Sequence, residues 1–273
     1  MSPKSTFTKT NIILSLVLLV IAGIIAPIIF VQSSHANALW NIVQQCEVNL
    51  SAHKPPTPCV SIEMTPGRSG GVAVLKDKVG NTQYLVLPTA KITGIESPVL
   101  WSTGATNYFA RAWDTTVLID QRVDYTLPPT DFALAVNSIS GRTQNQLHIH
   151  VDCIQPAVKA ALMAEAPEVK TEWHALSVTL HGHQYRAIWL PGTVLGQRNP
   201  FQILASSLPD PVGEMASHTL VLVGGERNGE PGFILLDGKA NPVAVLIAPL
   251  IKLGSGSGEE LEDHNCQISQ EDQ

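Results

Sequence analysis

Residues 144–153 read Gln-Asn-Gln-Leu-His-Ile-His-Val-Asp-Cys, with polar and apolar residues alternating. His148, His150 and Asp152 fall at every second position. Side chains two apart on a β-strand share a face. One strand therefore presents two imidazoles and a carboxylate together, with Gln144 and Gln146 upstream on the same side, while Leu147, Ile149 and Val151 enter the core. Three readings fit such a face: a solvated strand surface, a metal site built from His-x-His and a carboxylate, or an imidazole nucleophile oriented by its neighbours. The spacing alone leaves all three open.

The elements that must position this strand can be read on both sides of it. The stretch "GGVAVLKDKVGNTQYLVLPT" reads as two strands turning at Gly80-Asn81, and "DFALAVNSISGRTQNQLHIHVDC" as a second hairpin turning at Ser140-Gly141. Between them, "SPVLWSTGATNYFARAWDTTVLIDQ" has helical spacing, with Leu100, Thr103, Ala110, Trp113 and Val117 on its inner side. Pro156 opens a helix. The second half repeats the rhythm: strands around Gly182, a helix at "NPFQILASSL", and a hairpin across "SHTLVLVGGERNGEPGFILLDGK". Both halves can be written β-β-α-β-β, and "QYRAIWLP" echoes "QYLVLP", which suggests an internal duplication.

The N-terminus stands apart. Residues 12–31 carry no charge, and twenty residues at about 1.5 Å each span about 30 Å, the thickness of the hydrocarbon layer. Lys4 and Lys9 precede the run and no Lys or Arg follows before Lys54. The positive-inside bias then puts residues 1–11 in the cytoplasm and the rest across the inner membrane, in the periplasm. The Ala36-Asn37-Ala38 pattern offers a rival, a cleaved signal segment. The amphipathic "LWNIVQQCEVNL" that follows reads as a short helix beside the membrane.

Four cysteines in an exported chain point to two disulfides, for which three pairings exist. Cys46 and Cys59 flank a Pro-rich polar loop, and joining them would restrict the unfolded chain by about 3 kcal/mol. That leaves Cys153 to tie down the tail through Cys266. No C-x-x-C spacing supports using them for a metal. The 273 residues, 44% hydrophobic, suffice for a sizeable core, and the net charge of -6 without any Lys/Arg run argues against nucleic acid as a partner. The acidic residues 256–273 read as a solvated tail behind a domain spanning 39–255.

The strand resembles the signature of the histidine-triad (HIT) family of nucleotide hydrolases and transferases, His-φ-His-φ-His-φ-φ. The likeness extends to Asn137, eleven residues before His148, to Gln144, four before it, and to "QYLVLPT", where Gln83 stands in place of a usual histidine and Pro88 conforms. Asp152 stands where the family keeps its third histidine. These departures, the apolar N-terminus and the stretches "LPTAKITGIESPVLW", "NYFARAW" and "RTQNQLHIHVDC" look like one branch, the membrane-anchored bacterial CDP-diacylglycerol pyrophosphatases. That likeness covers nearly the whole chain.

The resemblance implies an α+β fold, a HIT-like antiparallel sheet with helices and two HIT-like halves, behind one transmembrane helix. It implies a hydrolase that splits the phosphoric anhydride of CDP-diacylglycerol into CMP and phosphatidate, without a cofactor or metal, the oligomeric state being left open; the alternatives are a hydrolase or transferase of soluble nucleotide diphosphates and a non-catalytic nucleotide- or lipid-binding protein. His150 is then the nucleophile, its second ring nitrogen held by a backbone carbonyl. His148 and Asn137 orient the strand and the sugar side. Gln144, Asn145 and Arg142, the only nearby full positive charge, meet the phosphates, with Lys91 close by. Asp152 polarises an imidazole, orients water or carries a proton.

Overall fold

The computed structural model describes residues 35–64, 70–247 and 256–267. The segment read as an anchor, 12–31, lies outside them. Among the described residues no helix is long and apolar enough to cross a membrane.

Among the described residues ten strands form one antiparallel sheet. They are β1 (Ser61–Glu63), β2 (Val72–Lys76), β3 (Tyr84–Pro88), β4 (Phe132–Val136), β5 (Ile149–Ile154), β6 (His174–Leu180), β7 (His183–Pro191), β8 (His218–Arg227), β9 (Glu230–Lys239) and β10 (Glu262–Asp263). The order along the sheet is β1-β2-β3-β5-β4-β8-β9-β7-β6, with β10 joined to the far end of β5. Apart from β1 and β10 this order is palindromic, with β4 and β8 meeting at the centre. Short helices separate β3 from β4 and β7 from β8, as the repeated rhythm in the sequence suggests.

The central strands are fully buried, which suits runs such as "FALAV" and "TLVLV", rich in β-branched and aliphatic side chains. Alternation sorts their side chains onto two faces. One face carries Val72, Val74, Val86, Leu134, Leu147, Ile149 and Val151 into the main core beneath most of the helices. Leu147, Ile149 and Val151 thus point inward as their spacing indicates. The opposite face carries Ala73, Leu75, Leu85 and Leu87, covered by helix α1 (Ala38–Ser51) through Leu39, Val43 and Cys46. Those three are four and three residues apart, the stripe a helix needs to lie on a sheet. The Cys46–Cys59 disulfide pins the end of α1.

The long helix suggested for 97–121 is broken. Two short helices, α2 (Tyr108–Trp113) and α3 (Val117–Val123), replace it. Asn107 caps the first through its Oδ1, which accepts from the Ala110 N–H. Leu100 is buried and Ala110 and Trp113 pack against the core, as their spacing indicates, but Tyr108, Phe109, Ala112 and Ile119 are the other large inward positions, whereas Thr103 and Val117 are exposed.

The C-terminal stretch is not a solvated tail. Residues 256–267 form a strap across the face that α1 leaves open. The strap's β10 pairs with β5 at Ile154 and Cys153, Gln155 N–H donates to the Leu261 carbonyl, and Cys266 is bonded to Cys153. Leu261, Glu262 and Asp263 are buried. At the centre of the sheet the strap rests on Ala135, Thr219 and Val221. A Cβ on Gly258 would fall 2.8 Å from the Val221 methyl and the Thr219 hydroxyl, so only glycine permits this approach.

Candidate active site

The register fixes which side chains meet. Leu85, His150, Ala135, Val221 and Leu236 lie side by side across the sheet. His150 is therefore flanked on one side by the small Ala135, over which the strap passes, and on the other by the strand under α1. Between strap and helix opens a cavity of about 630 Å³ lined by His148, His150, Asn137, Thr143, Gln144 and Glu259 on its polar side. Leu39, Ile42, Pro58, Leu75, Val79 and Leu85 line the apolar side, and Lys76 and Lys78 belong to the same wall.

The two imidazoles lie edge to face with centroids 4.9 Å apart. His148 Nδ1 is 2.7 Å from the Gln146 carbonyl. A carbonyl only accepts, so Nδ1 carries the proton and Nε2 keeps its lone pair. Burial, reinforced by the charge of His150 and opposed by that hydrogen bond, pushes His148 down to about 3, so it stays neutral. His150 has different neighbours. Its Nδ1 lies 3.0 Å from the side-chain amide of Gln83, not beside the backbone carbonyl that the resemblance implies. Its Nε2 lies 2.7 Å from Glu259 Oε2, but the carboxylate is off the axis of a linear hydrogen bond. Burial alone would raise the Glu259 carboxyl. The contact with His150, the charge that imidazole carries when protonated, and the hydrogen bond at Asn137 outweigh it and hold the group at about 2.

Other expected residues occupy places that the spacing did not reveal. Asn137 lines the cavity, yet its Oδ1 accepts from the Gly258 N–H at 2.7 Å and faces the Glu259 N–H and the Ser257 hydroxyl at 3.4 Å. It holds the strap, and through it Glu259. Gln144 lines the cavity and its Oε1 accepts from the Leu39 N–H, tying the site to α1. Arg142 is not available to a phosphate: both terminal nitrogens bond Glu96 at 2.6 Å, and the side chain is buried. The positive charge in the lining belongs instead to the exposed Lys78 and to Lys76, whose ammonium also donates to the Asp77 and Gly80 carbonyls. Asn145 uses its backbone N–H on the Ala36 carbonyl and is not among the lining residues, and Lys91 stands 5.9 Å from the ring of Trp40, also off the lining.

Asp152 is fully buried beyond the cavity. It does polarise an imidazole, but that of His264 on the strap, at 3.1 Å, and its Oδ1 accepts from the Cys153 N–H. Burial raises the Asp152 carboxyl against these bonds. The same contact, against partial burial, raises His264. Composition gave no hint of Glu259, Glu262 and His264. The signal was Cys266, whose bond to Cys153 forces the residues before it to run beside β5.

The arrangement can place a phosphorus near a buried imidazole, with two lysines and a run of apolar side chains in the same lining. Comparison with known proteins agrees. The sequence pattern of the family described as CDP-diacylglycerol pyrophosphatase matches residues 34–270. A protein of Yersinia pestis named CDP-diacylglycerol pyrophosphatase is 38% identical over 259 residues, which cover 94% of this chain and 93% of that relative. With a match from the first turn of α1 to the end of the strap, the chain belongs to the CDP-diacylglycerol pyrophosphatase family.

Proposed function

We propose that this protein hydrolyses the phosphoric anhydride of CDP-diacylglycerol to CMP and phosphatidate, with His150 as the attacking group. The observation that carries this reading is the mixed lining of the cavity, polar around the histidines and apolar where α1 covers the sheet. A nucleotide diphosphate matches the His150 side and the lysines, and the apolar wall of Leu39, Ile42, Leu75 and Leu85 suits the glycerol end of a lipid. That wall favours the lipid over a soluble nucleotide diphosphate, which would leave it unused.

In this reading substrate displaces Glu259 from Nε2. The Nε2 lone pair attacks the CMP-side phosphorus, an N–P bond forms, and the P–O bond to phosphatidate breaks with its electron pair staying on the departing oxygen. Water then attacks the same phosphorus, the N–P bond breaks back onto Nε2, and CMP leaves. Glu259, one short swing from Nε2, takes the proton of that water. Two easier displacements replace one hard one. Neutral His148 adds no positive charge beside His150, which leaves the Nε2 lone pair available.

The rest of the reading concerns architecture. The palindromic sheet supports a fused pair of HIT-like halves of which the first carries the histidines of the site, since Leu236 stands in the second half's row where His150 stands in the first. Residues 12–31 anchor the chain in the inner membrane with the cavity on the periplasmic side. Helix α1, which lines the cavity, begins at Ala38, close behind that run. The test is rapid quenching with CDP-diacylglycerol followed by mass spectrometry. A CMP adduct on His150, absent in His150→Ala together with phosphatidate release, is the expected result. Undiminished phosphatidate release by His150→Ala refutes the reading.

A further inference from the structure

Gln83 is buried, and the nitrogen end of its amide is 3.0 Å from His150 Nδ1 and 3.4 Å from Glu262 Oε2. Amide oxygen and nitrogen are nearly the same size, so turning the group end for end leaves the packing unchanged and reverses every hydrogen bond. Only two patterns exist. With nitrogen in this place Gln83 donates to both neighbours; Nδ1 is then bare and the proton of a neutral His150 lies on Nε2, where attack requires a lone pair. With oxygen in this place Gln83 accepts from both; Nδ1 and Glu262 each carry a proton, and Nε2 presents its lone pair to the cavity once substrate has displaced the Glu259 carboxylate, which lies 2.7 Å from it in the free protein.

Glu262 decides between them. It is buried on β10, and its Oε1 has no hydrogen-bond partner among the described residues. The charged groups facing it are carboxylates from three directions: Asp152 on β5, Asp77 at the end of β2, and Glu259 on the strap itself. The nearby cations are engaged elsewhere, Lys76 with the carbonyls of Asp77 and Gly80 and His264 with Asp152. Burial first, then the charges of Asp152 and Glu259, raise the Glu262 carboxyl well above the usual range. An uncharged acid has one O–H to place, and the donating orientation of Gln83 would leave that O–H without an acceptor.

We propose that Gln83 and Glu262 are positioning residues that keep the proton of His150 on Nδ1, Glu262 acting as an uncharged acid and Gln83 as the acceptor shared between them. The inference rests on the reading of His150 as the attacking group. It predicts an alkaline limb in kcat/KM: as pH rises Glu262 loses its proton, Gln83 turns to donate, and Nε2 loses its lone pair.

The test uses the full chain in detergent with 15N-labelled histidine, read by NMR with saturating CMP, which displaces Glu259 from Nε2 and does not turn over, and pH profiles on CDP-diacylglycerol in mixed micelles. Wild type should show His150 protonated at Nδ1. Glu262→Gln, whose N–H donates to Gln83 and never ionises, should keep kcat within about threefold and lose the alkaline limb. Gln83→Met should show the proton moved to Nε2, with kcat lower by about 100-fold and KM nearly unchanged. Gln83→Met combined with Glu262→Gln should be no worse than Gln83→Met alone. A neutral wild-type His150 protonated at Nε2, or an alkaline limb unmoved in Glu262→Gln, overturns the proposal. The NMR result is independent of turnover, so it is distinguishable from a failure to trap the CMP adduct.

Discussion

Removing the Cys153–Cys266 disulfide should cost more stability than removing Cys46–Cys59, and only the first loss should disturb chemistry. The two bridges close loops of very different length, with sequence separations of 113 and 13. Loop-closure entropy then assigns about 4.8 kcal/mol to the long loop and about 2.9 kcal/mol to the short one. For a chain of this size each kcal/mol moves the thermal midpoint by about 2–4 °C, so the pairs should differ by about 4–8 °C. Replacing both partners of each bridge by alanine makes the comparison fair, because all four cysteines are buried and the packing losses nearly cancel. The long bridge also anchors the strap that carries Glu259 and Glu262. Cys153→Ala/Cys266→Ala should therefore lose kcat at 20 °C, where it remains folded, while Cys46→Ala/Cys59→Ala keeps it. Differential scanning fluorimetry and phosphatidate release check both statements. Equal midpoints, or a full kcat in the strap variant, would refute the reasoning.

Two further outcomes follow from the placement of other residues. Arg142→Ala leaves Glu96 without its partner and should cost about 3 kcal/mol in chemical unfolding, yet KM for CDP-diacylglycerol should hold within about twofold; a large KM increase in a stable variant would return Arg142 to the phosphate site. Removing residues 1–33 should preserve turnover of detergent-dispersed substrate and depress turnover of vesicle-borne substrate; equal loss or equal retention on both would count against the anchor.

The strand and its inward face were legible because their signal is local. A period of two over 147–153 fixes which side chains share a face, whatever the rest of the chain does. The hairpins were legible for the same reason, each turn being announced by glycine or asparagine. The region 97–121 was half legible: Leu100, Ala110 and Trp113 do turn inward, but the Asn107 cap and the turn at Asp114-Thr115 break the single stripe into two short helices, with Phe109, Ala112 and Ile119 inside and Val117 outside. The strap was illegible from composition, since a run such as "GEELEDHN" is ordinarily solvated. Its burial depends on a pairing more than a hundred residues away, of Glu262 with Ile154 and Asp263 with Cys153. Arg142 was assigned by its nearness in sequence to the histidines, and Glu96, which claims it, comes from a different loop.

The second half of the chain explains why so acidic a strap docks at all. No histidine of β9 faces the site row, where Leu236 lies beyond Val221 and Ala135 from His150. What this half supplies is a floor. Gly258 rests on Thr219 and Val221 of β8 as well as on Ala135 of β4, at the seam between the halves. From that point the strap sends consecutive carboxylates in opposite directions. The Glu259 carboxylate goes to His150 in the first half, while its backbone N–H faces Asn137 Oδ1. Glu260 goes to Tyr185 and His183 in the second, at 3.6 Å from the latter, and with burial it pushes the Tyr185 phenol up. A single histidine-bearing half would offer Glu259 a target but no seam to fix the backbone that delivers it. The half without nucleophiles therefore belongs to the active site as the surface that aims Glu259, and a bulkier residue at Val221 should be felt first at His150.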